Sequence, residues 1–215
     1  MTKPIGLLGG TFDPIHIGHL RPAIATMEQL GLDHIRLLPN YIPPHRANPD
    51  SAPEHRLAMV TLAAGCTPGF VVDDRELRRN RPSYTIDTLI ELRRERPATP
   101  LCFLMGMDSL LSLNRWHRWR ELLDYAHLVV SHRPGWRPEF NPEVGQLYRQ
   151  QGTRDIQRLH SQKAGAIYLF DNPQLDISSS QIRRCIKEGN NPQYLLPDPV
   201  TAYIRDKGLY QEPVL

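Results

Sequence analysis

Short apolar runs bounded by glycine, proline and polar residues alternate along this chain with longer segments in which apolar residues recur every three or four positions. The short runs are typical of buried β-strands, and the longer segments are typical of amphipathic helices. Because the two kinds of segment alternate, we expect parallel strands joined by helices, which make an open α/β sheet. The predicted strands are residues 5–8, 34–38, 70–73, 101–105, 126–131 and 166–170. The predicted helices are residues 20–30, 53–64, 85–92, 110–113 and a segment that opens at 176, followed by short closing helices at 194–196 and 200–204.

Two stretches do not fit this alternation. Residues 74–81 carry four arginines against two acidic residues, and we expect most of them to lie in a solvated, charged loop. Residues 135–165 are proline-rich at first and then polar, with sparse apolar positions. That composition predicts a peripheral segment with one weak helix.

Length and composition are those of an ordinary globular protein. The 215 residues are 40% hydrophobic and 23% charged, which is enough for a real core. We expect a single domain over residues 1–215, with residues 1–175 as the α/β core and residues 176–215 as a C-terminal helical segment. The net charge of +3 suits an anionic substrate but is too small to indicate nucleic acid.

The cysteines and the start of the chain bear on location. Three widely spaced cysteines without a CxxC pair predict reduced thiols in a cytoplasmic protein. The first predicted strand starts at residue 5, which leaves no room for a signal peptide. The chain has no apolar run of about 18 residues, so we expect no membrane span and no membrane partner.

The first predicted strand leads through the string GGTFDPIHIGH, residues 9–19, into the first helix. Such a turn lies at the carboxyl end of the strand, where open α/β sheets bind ligands. Gly9 and Gly10 let a phosphate approach the backbone, and the N-terminus of the helix favours an anion. His16 and His19 are three apart, so both rings would lie above that anion if the turn is helical. A pair of ordinary surface histidines is the alternative, and zinc is disfavoured because no cysteine lies nearby.

Three further strands end in polar residues that would border the same crevice. Asn40 and His45 lie in a stiff, proline-rich loop after the second strand, although this loop could also be a plain surface connection. Gly106 and Asp108 follow the central strand, where an acid can bind ribose hydroxyls or cap the next helix. Arg133 follows the strand at 126–131 and could meet a phosphate with its planar fork.

Serines open two of the predicted helices. Ser83 is a plausible N-cap, and a helix N-terminus with a free hydroxyl can also bind a carboxylate or phosphate. Residues 178–180 are three consecutive serines, and Arg183 lies one turn further along the same face. Because a triple serine exceeds what capping needs, we favour phosphate binding there over a simple N-cap.

The run RWHRWR, residues 115–120, alternates basic and aromatic residues. This composition could indicate nucleic-acid binding, but one short run without an RNA-binding motif is thin support. We expect Trp119 to pack in the core and Trp116 to stack on a flat ring of a small molecule.

The string at residues 9–19 resembles the GGTFDPxHxGH signature of the nucleotidyltransferase superfamily, whose members share an HxGH motif. Together with PNYIPPHR, SYT, GMDS, RWH, HRPG and ISSSQIR, in that order, it resembles the bacterial nicotinate-nucleotide adenylyltransferases over nearly the whole chain. Ser180 replaces a threonine of the family and keeps the hydroxyl. His117 stands where members often have tyrosine, at a position where the family is thought to use a backbone N–H. The resemblance implies an α/β fold: a Rossmann-like doubly wound parallel sheet with helices on both faces and a small C-terminal helical segment.

The reaction implied by this resemblance joins ATP to nicotinate mononucleotide and yields nicotinate adenine dinucleotide and pyrophosphate. The implied partners are these small molecules and no nucleic acid, and a homo-oligomer is possible. The implied cofactor is Mg²⁺, which bridges phosphate oxygens and needs no dedicated set of protein ligands. The implied catalytic residues are His16, His19 and Arg183. The implied ATP site, which the C-terminal segment completes, comprises Gly9, Gly10, Thr11, Phe12, His16, His19, Gly106, Asp108, Arg133, Ser178, Ser179 and Arg183. The implied mononucleotide site comprises Asn40, His45, Ser83, Tyr84, Thr85, Trp116 and His117.

Two alternative functions suit the same fold, and the sibling enzymes among them would share the first motif. A sibling enzyme would act on nicotinamide mononucleotide or phosphopantetheine, but phosphopantetheine has no aromatic ring for Trp116. A non-catalytic nucleotide-sensing domain would not need to keep His16, His19 and Arg183. The residues leave open the choice between a carboxylate and an amide on the pyridine ring, which depends on backbone N–H groups near Thr85 and His117.

Overall fold

A computed structural model of the chain describes residues 2–43, 48–132, 139–172 and 175–211. The described residues form seven strands in one parallel sheet, in the order β3-β2-β1-β4-β5-β7-β6. The order reverses between β1 and β4, which leaves a crevice at the carboxyl ends of these two neighbouring strands. The strands are β1 (Ile5–Gly10), β2 (Ile35–Pro39), β3 (Phe70–Val72), β4 (Leu101–Gly106), β5 (His127–His132), β6 (Gly152–Thr153) and β7 (Ile167–Asp171). All six predicted strands are confirmed.

Helices connect the strands and cover both faces of the sheet. Within the described ranges they are α1 (Ile17–Leu30), α2 (Pro53–Gly65), α3 (Arg75–Arg78), α4 (Thr85–Glu95), α5 (Met107–Leu111), α6 (Leu122–Tyr125), α7 (Pro142–Gln151), α8 (Gln157–Ser161), α9 (Ser179–Lys187) and α10 (Asp198–Asp206), with 3₁₀ turns at Leu113–Arg115 and Trp119–Glu121. None of these helices is long and apolar enough to cross a membrane.

The core consists of two layers, one on each face of the sheet. Strand β4 shows why, since Cys102 and Leu104 join one buried cluster while Leu101, Phe103 and Met105 join the other. Residues of α1, α2, α9 and α10 pack in the first cluster, and residues of α4, α5, α6 and α7 pack in the second. A strand buried on both faces needs a continuous apolar run, which explains the composition of β4. The predicted Rossmann-like, doubly wound α/β fold is confirmed.

The predicted solvated loop at residues 74–81 is wrong in part. The segment contains the short helix α3, and Arg75 is buried. The Arg75 guanidinium donates to Asp73 at 2.8 Å and to both oxygens of Glu95 at 2.9 and 3.0 Å. Arg79 donates to Thr88. The arginines pack because acidic and hydroxyl partners reach them from α4, which the local sequence does not reveal.

Two other expectations are also corrected. Residues 139–165 contain two helices, α7 and α8, and a short edge strand, β6, in place of one weak helix. Residues 193–196 form a turn and not a helix, so α10 is the closing helix of the described C-terminal segment. Cys66, Cys102 and Cys185 are all free thiols, as predicted.

Candidate active site

A cavity of about 660 Å³ opens at the carboxyl ends of β1 and β4, in the crevice created by the reversed strand order. Its walls come from the turn after β1, the end of β2, the start of α4 and the segment from α5 to residue 117. Thirteen of the residues predicted for the site line it, namely Gly9, Gly10, Thr11, Phe12, His19, Asn40, Ser83, Tyr84, Thr85, Asp108, Trp116, His117 and Ser179.

The remaining predicted residues fall into two groups. His16, Gly106, Ser178 and Arg183 are described but do not line the cavity. His45 and Arg133 lie outside the described residues, so the roles expected of them stay predictions.

The turn after β1 presents backbone to the cavity because its bulkiest side chain folds away. Phe12 is 1% exposed and lies beneath Gly10, where a Cβ atom would come within 2.8 Å of the Phe12 ring. A residue larger than glycine at this position would therefore displace Phe12. The edge of the Phe12 ring also packs against His19, with ring centroids 5.2 Å apart.

The two histidines of the motif stack on each other at the start of α1. Their ring centroids are 3.7 Å apart, and the ring planes differ by 26°. His16 is only 3% exposed, and its Nδ1 atom is buried without a hydrogen-bond partner within the described structure. Burial lowers the pKa of His16 to about 4, so this imidazole is neutral at neutral pH. The two rings lie together, but His16 is the extended N-cap residue of α1 and does not line the cavity. The surface-pair alternative is therefore wrong for His16, and a shared position of both rings above an anion stays a prediction.

The tautomer of His19 follows from its contact with the backbone. The backbone N–H of His16 donates to Nδ1 of His19 at 3.4 Å. Since Nδ1 accepts a hydrogen bond, neutral His19 carries its proton on Nε2 and can donate from that atom. Gly18 allows this compact arrangement, because a Cβ atom there would lie 2.9 Å from the His16 ring and 3.0 Å from the carbonyl oxygen of Ile177.

A buried arginine behind the cavity holds two of its walls together. Arg56 of α2 is fully buried and donates to the carbonyl oxygens of Thr11 at 2.9 Å, Asn40 at 2.6 Å and Tyr41 at 2.9 Å. The Asn40 side chain also donates to Thr11 Oγ1 at 3.4 Å. Sequence reasoning missed Arg56, because a single arginine in an amphipathic helix gives no sign that its partners are backbone carbonyls.

Polar contacts hold the cavity wall at the start of α4 in place. Tyr84, and not Ser83, is the N-cap residue of α4, so the predicted capping role of Ser83 is wrong. Ser83 instead accepts the backbone N–H of Tyr41 at 3.0 Å, which ties this wall to the end of β2. Glu76 also lines the cavity, accepts the Thr88 hydroxyl at 2.6 Å and has a raised pKa because it is buried.

The cavity wall formed by α5 and the segment up to residue 117 carries the exposed carboxylate of Asp108 and the aromatic side chain of Trp116. Gly106 is the N-cap residue of α5 and Asp108 lies exposed in its first turn, so Asp108 lines the cavity without capping the helix. Trp116 stands edge-on to Phe103, with centroids 6.1 Å apart and planes at 84°. Trp119 is buried, so the packing expected of it is confirmed. Trp116 lines the cavity, and the stacking expected of it stays a prediction.

Helix α9 brings the serine-rich motif against the turn after β1. Ser178 is the N-cap residue and accepts the backbone N–H of Gln181 at 3.2 Å. Ser179 lines the cavity and donates to the carbonyl oxygen of Pro14 at 3.0 Å. Arg183 lies behind this contact and donates to the carbonyl oxygen of Asp13 at 2.8 Å.

Six lining residues were not predicted: Pro43, Glu76, Phe103, Ser109, Ser112 and Arg115. Arg115 is the most informative, because it is exposed and has no ion pair among the described residues. Arg115 is the first residue of the RWHRWR run, whose alternation of basic and aromatic residues favours a role for the tryptophans and does not single out one arginine. Across the described ranges, no three histidine, cysteine or acidic side chains group as metal ligands.

Known proteins resemble this chain in sequence and in fold. A family model described as cytidylyltransferase-like matches residues 7–185. A protein of Aeromonas salmonicida (strain A449), named as a probable nicotinate-nucleotide adenylyltransferase, is 62% identical over 98% of this chain and 99% of its own length. A relative with the same name from Psychromonas ingrahamii is 47% identical over 97% and 98% of the two chains.

The fold has solved counterparts. The nicotinic acid mononucleotide adenylyltransferase of Plasmodium falciparum, solved in complexes with APC and with NaAD, has a TM-score of 0.71 and 18% identity, covering 97% of both chains. At this identity the likeness concerns the fold alone.

Proposed function

This chain belongs to the cytidylyltransferase-like family and, within it, to the nicotinate-nucleotide adenylyltransferases, and we propose that it transfers the adenylyl group of ATP to nicotinate mononucleotide. The products are nicotinate adenine dinucleotide and pyrophosphate, as part of NAD biosynthesis. One observation carries the proposal: a single cavity joins the glycine-rich turn after β1 to an aromatic wall. Such a cavity suits two nucleotides whose phosphates must meet.

We assign ATP to the side formed by the turn after β1 and by α9. Backbone groups at Gly9 and Gly10 and the Ser179 hydroxyl line this part of the cavity, beside the N-terminus of a nine-residue helix. A helix N-terminus favours an anion there. Asp108 accepts hydroxyl hydrogens of the ribose, with Gly106 allowing close approach. The other residues assigned to ATP are Thr11, Phe12, His16, His19, Arg133, Ser178 and Arg183.

The C-terminal segment takes part in this assignment. Ile182 of α9 and Val200 and Ile204 of α10 belong to the same buried cluster as residues of α1 and α2. Because they share one core, we infer that residues 176–215 complete the ATP site of a single domain spanning residues 1–215.

We assign the mononucleotide to the side between α4 and Trp116. The indole of Trp116 offers a flat apolar face to the pyridine ring, and its own ring is buttressed by Phe103. Tyr84 packs on His117 with ring centroids 4.6 Å apart, so both flank the same part of the cavity. Thr85 and His117 would bind the ring carboxylate through backbone N–H groups. The other residues assigned to the mononucleotide are Asn40, His45 and Ser83.

In this proposal the reaction is a direct displacement. An oxygen of the mononucleotide phosphate attacks the α-phosphorus of ATP, and the bond from that phosphorus to the bridging oxygen breaks as pyrophosphate leaves. No enzyme nucleophile is needed, so the protein positions the reactants and stabilises the charge that moves to pyrophosphate. His19 donates from Nε2–H and Arg183 from its guanidinium. Ser179 can donate its single hydroxyl hydrogen to phosphate only when its bond to the carbonyl oxygen of Pro14 breaks. Neutral His16 holds the ring of His19 in place by stacking.

Mg²⁺ enters as the metal complex of ATP. We infer that phosphate oxygens and water supply most of its ligands, as is usual for Mg²⁺ bound with a nucleoside triphosphate. Asp108 is the exposed carboxylate on the cavity wall that could receive a metal-bound water. Bound there, Mg²⁺ would supply positive charge against the phosphate oxygens.

Pyrophosphate release tests the proposal. The purified full chain is assayed with ATP and Mg²⁺ and with nicotinate mononucleotide, nicotinamide mononucleotide or phosphopantetheine as the acceptor. A large advantage of the nicotinate substrate in kcat/KM is expected. Preference for either of the other acceptors would overturn the assigned substrate. A folded protein that is active with none of the three would overturn the assignment as an enzyme and favour a nucleotide sensor.

A further inference from the structure

A closed ring of polar contacts lies behind the cavity, around Asp13. The Asp13 carboxylate is 2% exposed, and one of its oxygens, Oδ2, accepts the backbone N–H groups of Asp50 at 2.7 Å and Ser51 at 3.2 Å. The Asp50 carboxylate in turn contacts Nε of Arg183 at 2.5 Å. Arg183 closes the ring through its bond to the Asp13 carbonyl oxygen. The turn after β1, the segment before α2 and helix α9 are thereby linked at one point.

The second carboxylate oxygen of Asp13 is held by a residue far away in the sequence. Tyr210, which follows α10, donates its hydroxyl to Oδ1 of Asp13 at 2.6 Å. Burial, and then the negative charge of Asp13, raise the pKa of Tyr210, so its hydroxyl stays protonated as a donor. With both oxygens engaged, the carboxylate can neither rotate nor turn toward solvent without breaking these hydrogen bonds.

The ring determines how Arg183 can act. A guanidinium is a rigid, planar fork, so two fixed contacts define the plane in which it lies. Nε is engaged by Asp50 and Nη1 by Asp13, whereas Nη2 makes no hydrogen bond to the part of the chain that is described. Nη2 therefore keeps its donors for an anion brought by a substrate.

We propose that Tyr210 and Asp50 are positioning residues for the reaction: Tyr210 acts through Asp13 and Asp50 acts by direct contact, and together they orient the guanidinium of Arg183 toward a phosphate of ATP. The inference rests on the proposed function, in which Arg183 binds phosphate. Neither positioning residue lines the cavity. We expect their effect to fall on ATP binding alone, because these polar contacts join the turn after β1 to α9 and include no residue of the wall that carries Trp116.

The chain offers a matched control for Tyr210. Tyr203, in α10, also forms a hydrogen bond through its hydroxyl, here with Nδ1 of His55 in α2 at 2.9 Å, but this contact does not involve the ring of polar contacts. Both tyrosines are partly buried. Tyr210→Phe and Tyr203→Phe therefore remove comparable hydroxyls, of which only one belongs to the ring.

The test measures ATP binding by calorimetry and steady-state kinetics in full-length wild type, Tyr210→Phe, Tyr203→Phe and Asp50→Asn. We expect Tyr210→Phe and Asp50→Asn each to raise the Kd and KM for ATP about 10-fold, the order of one hydrogen bond to a charged group, with KM for the mononucleotide unchanged. Tyr203→Phe should change neither. In the Tyr210→Phe/Asp50→Asn double variant the loss should be less than the product of the single losses, because both act through Arg183.

Other results would overturn the inference. Equal behaviour of the two tyrosine variants, or equal rises in KM for both substrates, would reduce Tyr210 to a structural role. A lower Kd for ATP in Asp50→Asn would mean that Asp50 competes with ATP for Arg183. Because calorimetry needs only ATP, a wild type that binds ATP without transferring it would contradict the proposed function and still allow the ring to be tested.

Discussion

The rings of His16 and His19 are stacked 3.7 Å apart, yet His16 is buried while His19 lines the cavity. The two histidines of one motif therefore have different tasks. In the proposed reaction His19 contacts a phosphate and His16 holds the His19 ring in place.

Replacing His19 by alanine should lower kcat by more than about 100-fold, the order lost with one transition-state donor. The KM for the mononucleotide should change little, because the lost donor faces ATP. Steady-state kinetics with pyrophosphate detection measures both. His34→Ala is the control, since His34 lies outside the cavity and pairs with Asp33. An unchanged kcat in His19→Ala would remove His19 from the mechanism.

His16 should make the stability of the protein depend on pH. Its pKa is about 4 in the folded chain, below the ordinary value of 6.5, so between these pH values the unfolded chain binds more protons. The contribution is fully present above pH 6.5 and is lost as pH falls toward 4, by on the order of 3 kcal/mol for a shift of this size. Urea unfolding at several pH values measures the slope. His16→Gln should flatten it, and an equal slope in variant and wild type would place the titration on another group.

Trp116→Ala should raise KM for nicotinate mononucleotide by about 10-fold or more, while KM for ATP stays within about 2-fold, because stacking on an aromatic ring is lost on one substrate only. The variant should fold normally, since Trp116 is half-buried at the cavity wall. Trp119→Ala is the contrasting variant: this side chain is 8% exposed, so its removal should cost about 3 kcal/mol or more of stability. Equal effects of Trp116→Ala on both KM values would refute the stacking role.

Arg115→Gln should weaken the preference for the nicotinate over the nicotinamide substrate. A cation on the cavity wall next to Trp116 attracts the ring carboxylate and has little effect on the neutral amide. We expect the ratio of the two kcat/KM values to fall about 3- to 5-fold, as for an exposed ion pair, and the effect to shrink at high salt. Arg118→Gln is the matched control, because Arg118 is already bonded to Glu121 at 2.6 and 2.8 Å. Equal losses with both substrates would assign Arg115 to the shared phosphate instead.

Local patterns were sufficient for much of the site. The glycine-rich turn, the serine-rich start of α9 and the aromatic run each contain their residues within a few positions, and the structure brings parts of all three to one cavity. Ser83 and residues 74–81 were interpreted wrongly for a common reason. Their polar side chains satisfy distant partners, whereas a local pattern can suggest only a cap or a solvated loop.

The sequence by itself determined the alternation of strands and helices, the turn that carries the two histidines and the family to which the chain is similar. These properties are encoded locally, because periodicity and short motifs report which face of an element is buried and how a turn can bend. Only the tertiary structure decided which histidine is buried, which arginine supports the walls from behind and how Tyr210 reaches Asp13, 197 positions away. Such contacts join residues that no local pattern links, and a buried polar group finds its partner only once the packed chain has excluded water from it.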